Sequence, residues 1–266
     1  MAHQRLEIRI SAADKARLQR AASWSGLPLS AFVLYHAHVA ATHTFQNDIE
    51  LTRRDKELFL ESLLKSVQPS RSLLSTASRY RPWMGRVTPL SGQTRRALYL
   101  VERLHPRLHN RAAAAFRSGD VSLDEYLRQQ AGLDISRSRA FTYVLLPSGR
   151  PVEILGYFTL APVAVRLHDV LSSDVIQLPF HQLAPLMLLE RMVGQADQAA
   201  VLRSHLLVAA LQLSLAASPL GSSAVLAEAD NREDLVFYQN NGFRALVDSP
   251  QRLFLPMQVV RDVFTR

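Results

Sequence analysis

Four segments in the second half of the chain decide the fold: PLMLL at 185–189, LLVAAL at 206–211, AVLA at 224–227 and DLVFYQNNGF at 234–243. The first and third are short apolar runs between polar residues, which is typical of buried strands. The second is a longer apolar stretch and predicts a packed helix. The order strand, helix, strand, helix predicts a sheet with helices packed on it.

The sequence before and after these segments extends the same pattern. Phe141–Leu146 and Ile154–Leu160 are predicted strands, and the turn residues of Pro147–Pro151 between them predict a hairpin. Arg252–Leu255 is a predicted last strand, and Leu98–Ala115 is helical by composition. The C-terminal half is therefore expected to hold a mixed sheet with helices on it.

The N-terminus carries a different pattern. Arg5–Ile10 alternates polar and apolar residues, which predicts a strand with one buried face. Ser11–Asp14 is a capping box that opens a helix reaching Ser25, and Ser30 is the predicted N-cap of a second helix. One strand and two short helices bury too little to fold alone, so we expect a dimer whose strands pair over four helices. That architecture is the ribbon–helix–helix.

A helical segment joins the two halves. Thr52–Asp55 is a second capping box, opening a helix to about Ser66, and Ser70 caps a short helix that ends near Tyr80. A plain linker would not need an apolar stripe, so Phe59 and its neighbours are expected to bury against the C-terminal half. Whether they cover their own chain or a neighbouring protomer stays open.

Composition narrows the classes of function. The 266 residues suffice for two domains, and the absence of cysteine excludes disulfides, thiolate zinc sites and cysteine nucleophiles. The nine histidines show no ligand spacing on one helix face, so no metal is expected. The net charge of +8 favours an anionic partner, although an arginine-rich genome would give the same count. No apolar run approaches about 18 residues, so we expect a soluble, cytoplasmic protein without a membrane partner.

The string DLVFYQNNGF after strand, helix and strand resembles the second half of a GNAT-type acetyltransferase. It is more closely similar to the acetyltransferase toxins of bacterial toxin–antitoxin pairs, which acetylate aminoacyl-tRNA. Residues 5–44 resemble the DNA-binding half of the ribbon–helix–helix antitoxins that accompany those toxins. The resemblance implies an α+β fusion protein with a DNA-binding domain at 1–46, a helical antitoxin-like linker at 47–83 and a GNAT-like domain at 84–266.

The resemblance also implies a cofactor, acetyl-CoA, whose pyrophosphate lies on a glycine-rich turn at a helix N-terminus. In this chain the family's glycine positions fall on Ala199, Val201 and Arg203. A Cβ atom at such positions holds the backbone away from the phosphate oxygens. Asp197 can cap a helix starting at Gln198, so the turn is expected to become part of that helix. The site is then disabled and no cofactor is expected; alternatively, Arg203 offers the phosphates a cation and acetyl-CoA still binds.

Further site residues follow from the same resemblance. Tyr238 matches the tyrosine that protonates the departing CoA thiolate, although a tyrosine at this helix end also packs the fold. The resemblance also implies a cofactor-binding set, degenerate in this chain, formed by Arg191, Met192, Val193, Gln198, Val201 and Arg203. The first three correspond to the strand whose backbone contacts the pantetheine arm. Four arginines could form a tRNA-binding face: Arg117, Arg128, Arg137 and Arg139. The simpler interpretation is that they are scattered surface residues in contact with solvent.

For the N-terminal half, the resemblance implies operator DNA as a partner. Arg5, Glu7 and Arg9 would project together from the ribbon into the major groove, where arginine can read guanine. Ser30 and the first turn of its helix would hold a phosphate. The alternative is an ordinary solvated strand face and a plain helix cap.

Two functions are consistent with these patterns. The first is a homodimeric, or larger homo-oligomeric, DNA-binding autorepressor whose acetyltransferase-like domain no longer turns over. The second is an active toxin that acetylates aminoacyl-tRNA and is held inactive by its own linker helices until they are displaced or cut.

Overall fold

A computed structural model of the chain describes residues 10–24, 28–33, 37, 48–65, 67–80, 99–137, 139–148, 153–167, 183–217 and 222–265. The predicted ribbon strand lies outside the described residues except for Ile10, and so do Arg5, Glu7 and Arg9.

The described helices and strands follow one another in a mixed order. The helices are α1 (Ala12–Trp24), α2 (29–33), α3 (Arg53–Leu64), α4 (Arg71–Tyr80), α5 (Pro106–Ala115), α6 (Val121–Glu125), α7 (Ala131–Ser136), α8 (Ala199–Ala217), α9 (Arg232–Asn240) and α10 (Met257–Thr265), with a π-helical turn (Tyr126–Gln130) between α6 and α7. The strands are β1 (Asp48–Ile49), β2 (Tyr99–Arg103), β3 (Phe141–Pro147), β4 (Gly156–Arg166), β5 (Leu183–Gly194), β6 (Ala224–Glu228), β7 (Arg244–Ala245) and β8 (Arg252–Pro256).

The strands form one mixed sheet in the order β2-β3-β4-β5-β6-β8-β7. The predicted hairpin is present, because β3 and β4 pair antiparallel with Phe141 opposite Leu160. β5 and β6 run parallel, while β1 pairs parallel with the far end of β4 at Ala164 and Val165. The predicted α+β class, with a mixed sheet flanked by helices, is confirmed.

The two faces of the sheet carry separate helices. On β4, Phe158 and Leu160 belong to a core shared with α4, α8 and α10. Alternate residues of the same strand point to the other face. There Tyr157 packs with α5 and the turns that follow it, and Val163 packs with α3. Helices therefore cover both faces, and α3 and α4 lie on opposite ones.

Three predicted helix caps are confirmed. The hydroxyl oxygen of Ser11 accepts a hydrogen bond from the Asp14 amide at 3.1 Å. Thr52 accepts from the Asp55 amide at 3.2 Å and Ser70 from the Leu73 amide at 3.1 Å. These side chains satisfy amides that have no partner within the first turn of a helix.

Two local predictions were wrong. The helix predicted over Leu98–Ala115 is instead strand β2 followed by α5, which starts at Pro106 because proline fits the first helical position. Ser30 is not an N-cap: α2 starts at Leu29, and the Pro28 carbonyl accepts from the Phe32 amide at 2.9 Å. Ser30 is an exposed residue of the first turn.

Helix α8 is long and apolar enough to span a membrane, with a mean hydropathy of 1.5. It packs on the sheet, and its buried residues include Leu206, Leu207 and Leu211. It occupies the place of a core helix. Within the described residues, no group of three or more histidine, aspartate or glutamate side chains is placed to hold a metal ion.

Candidate cofactor site

The sheet opens between β5 and β6. The two strands pair only from Leu186 to Leu189, opposite Ala224 to Ala227, while β5 continues to Gly194. The register between β4 and β5 shifts at the same level, where Leu160 faces Leu189 and Thr159 faces Arg191. Arg191, Met192 and Val193 pair with β4 but not with β6 among the described strands. The predicted cofactor strand therefore borders the opening.

Helix α8 begins beside this opening, and its first turn is a regular helical turn. A turn at residues 196–198 precedes the helix, whose first residue is Ala199 rather than the predicted Gln198. The Gln198 carbonyl accepts from the amides of Val201 at 3.1 Å and Leu202 at 3.0 Å. Asp197 accepts from the Gln198 side-chain amide at 3.4 Å. The amides of Val201 and Leu202 are thus bonded within the helix.

Arg203 is held by helix α9. Its guanidinium donates to a carboxylate oxygen of Asp234 and lies 3.7 Å from the nearest oxygen of Glu233. The same group stacks over the Phe237 ring, 4.1 Å from its centroid, and the side chain is only 17% exposed. The cation is therefore neutralised by its own chain, whereas Val201 projects outward with 56% of its surface exposed.

Tyr238 lies on α9 as part of the core. It is 4% exposed, with its ring 5.6 Å from the Phe237 centroid and 5.2 Å from that of Phe243. Burial raises the pKa of Tyr238 above its ordinary value, the nearby Arg203 opposes this and Asp234 adds to it. The phenol keeps its proton at neutral pH, and its surroundings are those of a packing residue.

One cluster at α8 was missed by the sequence reasoning. His205 is 4% exposed and lies between the rings of Tyr80 and Tyr99, at centroid distances of 4.1 and 4.8 Å. Its Nδ1 is 3.0 Å from the Val201 carbonyl oxygen. Burial lowers the pKa of His205, and the hydrogen bond to Val201 opposes that shift. Nothing local in the sequence signals the cluster, because the two tyrosines are distant in the chain.

On the opposite face, Arg191 stacks over the Tyr126 ring at 3.9 Å and pairs with Glu190 at 2.5 Å. Burial is the main cause that raises the pKa of Tyr126 to about 12. A cavity of about 370 Å³ lies beside this group. Its lining residues are Asp48, Ile49, Asp134, Arg139, Ala140, Ala161, Val163, Leu188, Glu190, Glu228 and Arg252.

The four arginines considered as possible tRNA contacts differ in their surroundings, and two of them are hydrogen-bonded to backbone carbonyls. Arg117 donates to the carbonyl oxygens of Ala114 at 2.8 Å and Phe116 at 2.7 Å. Arg128 donates to the Asp124 carbonyl at 3.2 Å. Arg137 and Arg139 are exposed at the end of α7.

Comparison with known proteins identifies both halves. Residues 5–82 match the model of a family described as antitoxin TacA 1-like. A tRNA-acetylating toxin of Mycobacterium tuberculosis (strain ATCC 25618 / H37Rv) is 31% identical over 149 residues, covering 55% of this chain and 87% of that protein. This chain belongs to the tRNA-acetylating toxin family.

Solved structures share the fold of this tRNA-acetylating toxin family member. A tyrosine-to-phenylalanine variant of the toxin AtaT, bound to the C-terminus of the antitoxin AtaR and acetyl-CoA, aligns with a TM-score of 0.51 and 21% identity, covering 63% of this chain and 99% of that one. The AtaT–AtaR complex bound to DNA aligns with a TM-score of 0.50 and 23% identity, covering 62% and 99%. Here antitoxin and toxin are fused in one chain, as the sequence predicted.

Proposed function

We propose that this chain is a dimeric DNA-binding autorepressor whose toxin-like domain (described over residues 99–265) does not transfer acetyl groups. The DNA-binding domain would span residues 1–46, the antitoxin-like linker 47–83 and the toxin-like domain 84–266. In this proposal the protein acts in the cytoplasm on operator DNA, and acetyl-CoA is not a cofactor.

The main support for a loss of acetyl transfer is the position and pairing of Arg203. It stands at one of the family's glycine positions, and its guanidinium is bound to Asp234 and stacked on Phe237. A pyrophosphate at this helix end would be held by bare amides, or by an unpaired cation in their place. The amides of Val201 and Leu202 are bonded to Gln198, and Arg203 already has a carboxylate partner. Arg203 and two of the amides near this helix end therefore already have partners within the chain.

DNA binding is supported by the N-terminal half. The antitoxin family model begins at residue 5, within the alternating segment that supplies Arg5, Glu7 and Arg9. The AtaT–AtaR complex has been solved bound to DNA. A single strand has no pairing partner within such a module, so two chains would form the ribbon. Ser30 is exposed in the first turn of α2, and we propose it as a phosphate contact.

Two assays on the full chain test this function. The first incubates it with labelled acetyl-CoA and aminoacyl-tRNA, and we expect no label on the tRNA. The second is a gel shift on the DNA upstream of its gene, where we expect a retarded complex. Transfer of label to the tRNA at a catalytic rate would refute the proposal that the toxin-like domain is inactive. A promoter fragment that is not shifted would refute the proposal that the chain is a repressor.

The second candidate is an active toxin that acetylates aminoacyl-tRNA with acetyl-CoA. The observation in its favour is the opening between β5 and β6, which leaves Arg191 to Val193 bordering a cleft, with Tyr238 retained. The M. tuberculosis relative carries this activity in its name. In that case Arg203 would have to leave Asp234 when the cofactor arrives, and Tyr238 would be the acid.

A further inference from the structure

The antitoxin-like segment (residues 48–80) wraps around one edge of the sheet. α3 packs on one face and α4 on the other. Between them the chain passes the edge strand β7 and the turn before it, where Ser70 lies beside Gly242. At this crossing Arg244 donates to the Ser62 hydroxyl at 2.7 Å. The segment therefore holds the sheet from both sides.

α3 supplies core residues and a buried anchor. Phe59 is 1% exposed and meets Phe254 of β8 edge to face, with ring centroids 5.2 Å apart. The buried carboxylate of Asp55 accepts from the amides of Val247 at 2.6 Å and Asp248 at 3.1 Å. This carboxylate fixes the turn that joins β7 to β8.

α4 joins the core on the opposite face. Leu73 is completely buried, and Ala77 is buried one turn later, in the same cluster as Leu207 of α8. Tyr80 at the end of α4 covers His205 of α8. The central helix of the toxin-like domain is thus packed against the antitoxin-like segment along one side.

We infer that the antitoxin-like segment is a permanent structural part of the toxin-like domain and not a releasable inhibitor. Its removal would uncover apolar residues on both faces of the sheet at once, leaving the surfaces around Phe254 and Leu207 open to water. Large exposed apolar surfaces are rare on stable monomeric domains. Degradation or displacement of the segment therefore unfolds the domain and does not activate it. The inference holds whether or not the domain transfers acetyl groups.

Native-state hydrogen exchange on the full chain tests this inference. Amides in a releasable segment exchange through a local opening, while those of a shared core exchange only with global unfolding. We expect the slowest amides of α3 and α4 to exchange at the rate of those in β4 and β6, and to share their dependence on denaturant. If the α3 and α4 amides exchange about 100-fold faster while the sheet stays protected, the segment is releasable and the inference is wrong.

A pair of leucine variants provides a second test. Leu73→Ala removes a buried side chain of α4, and Leu64→Ala removes an exposed one of α3. We expect Leu73→Ala to speed exchange in β4 and β6 at least about 30-fold, and Leu64→Ala to change it less than about threefold. Faster exchange confined to α3 and α4 would contradict the inference. If Leu73→Ala does not fold, the exchange pattern of the natural chain decides.

Discussion

Arg203 of α8 and Asp234 of α9 form an ion pair at the helix end where the family's acetyl-CoA pyrophosphate is expected. The pair joins the N-terminal parts of two helices that follow neighbouring strands, and Phe237 covers the Arg203 guanidinium from one side. A phosphate entering this site would have to compete with a carboxylate that is part of the chain.

The Arg203–Asp234 pair is expected to contribute to stability. The side chains are 17% and 22% exposed, so they are partly screened by solvent. We expect Arg203→Met and Asp234→Asn each to lower the free energy of unfolding by about 1–2 kcal/mol, with a coupling of at least about 0.5 kcal/mol in the double variant. Urea unfolding measures these values, and Arg261→Met, at an exposed position of α10, is the control. Strictly additive effects would mean that the pair carries no net interaction.

Phe59 is expected to be among the most important side chains of the core. Phe59→Ala leaves a cavity against Phe254 and should destabilise the chain by about 3–5 kcal/mol. The midpoint of urea unfolding, followed by circular dichroism, measures the loss. Leu64→Ala, on the exposed side of the same helix, should cost less than about 0.5 kcal/mol. Equal effects from the two variants would show that α3 is not docked as described.

The buried His205 predicts a pH dependence. Burial lowers its pKa below the ordinary 6.5, so below that pH the unfolded chain takes up the proton first. Stability from this group is complete above pH 6.5 and is lost as the pH falls toward the folded pKa, by at most about 1.4 kcal/mol per pH unit. His205→Phe should reduce that slope, as measured by urea unfolding between pH 7 and 5. His109 is also buried with a lowered pKa, so some dependence should persist; an unchanged slope in His205→Phe would argue against the assignment.

The DNA contact rests on the N-terminal arginines. Arg9→Ala is expected to abolish the gel shift on the upstream promoter at moderate salt, because each lost phosphate or guanine contact weakens binding strongly. Arg261→Ala makes the same change of charge at an exposed position of α10 and should leave the shift intact. A normal shift from Arg9→Ala would refute the proposed contact.

The sequence predicted the parts of this fold that depend on local chemistry. The caps at Ser11, Thr52 and Ser70 were predictable because a hydroxyl bonds an amide three residues later. Strands β3 to β6 were recognisable from their apolar runs. β2 was not, since the composition of Tyr99–Arg103 also suits a helix, and only its pairing with β3 makes it a strand.

The candidate site was less predictable. The missing glycines at Ala199, Val201 and Arg203 are visible in the sequence, as is the resulting helical turn. The partner of Arg203 is not, because Asp234 lies 31 residues further along the chain. The stacking of Tyr80 and Tyr99 on His205 likewise requires the tertiary fold. Such contacts follow from the packing of α4, α8 and β2, which no local pattern encodes.

Calorimetric titration of the full chain with acetyl-CoA tests the central claim most directly. The full chain is required because the fragment 84–266 lacks Phe59 and Leu73, which complete its core. We predict no saturable binding up to about 1 mM acetyl-CoA, which corresponds to a binding free energy weaker than about −4 kcal/mol. A dissociation constant in the micromolar range would contradict the account and identify a working cofactor site.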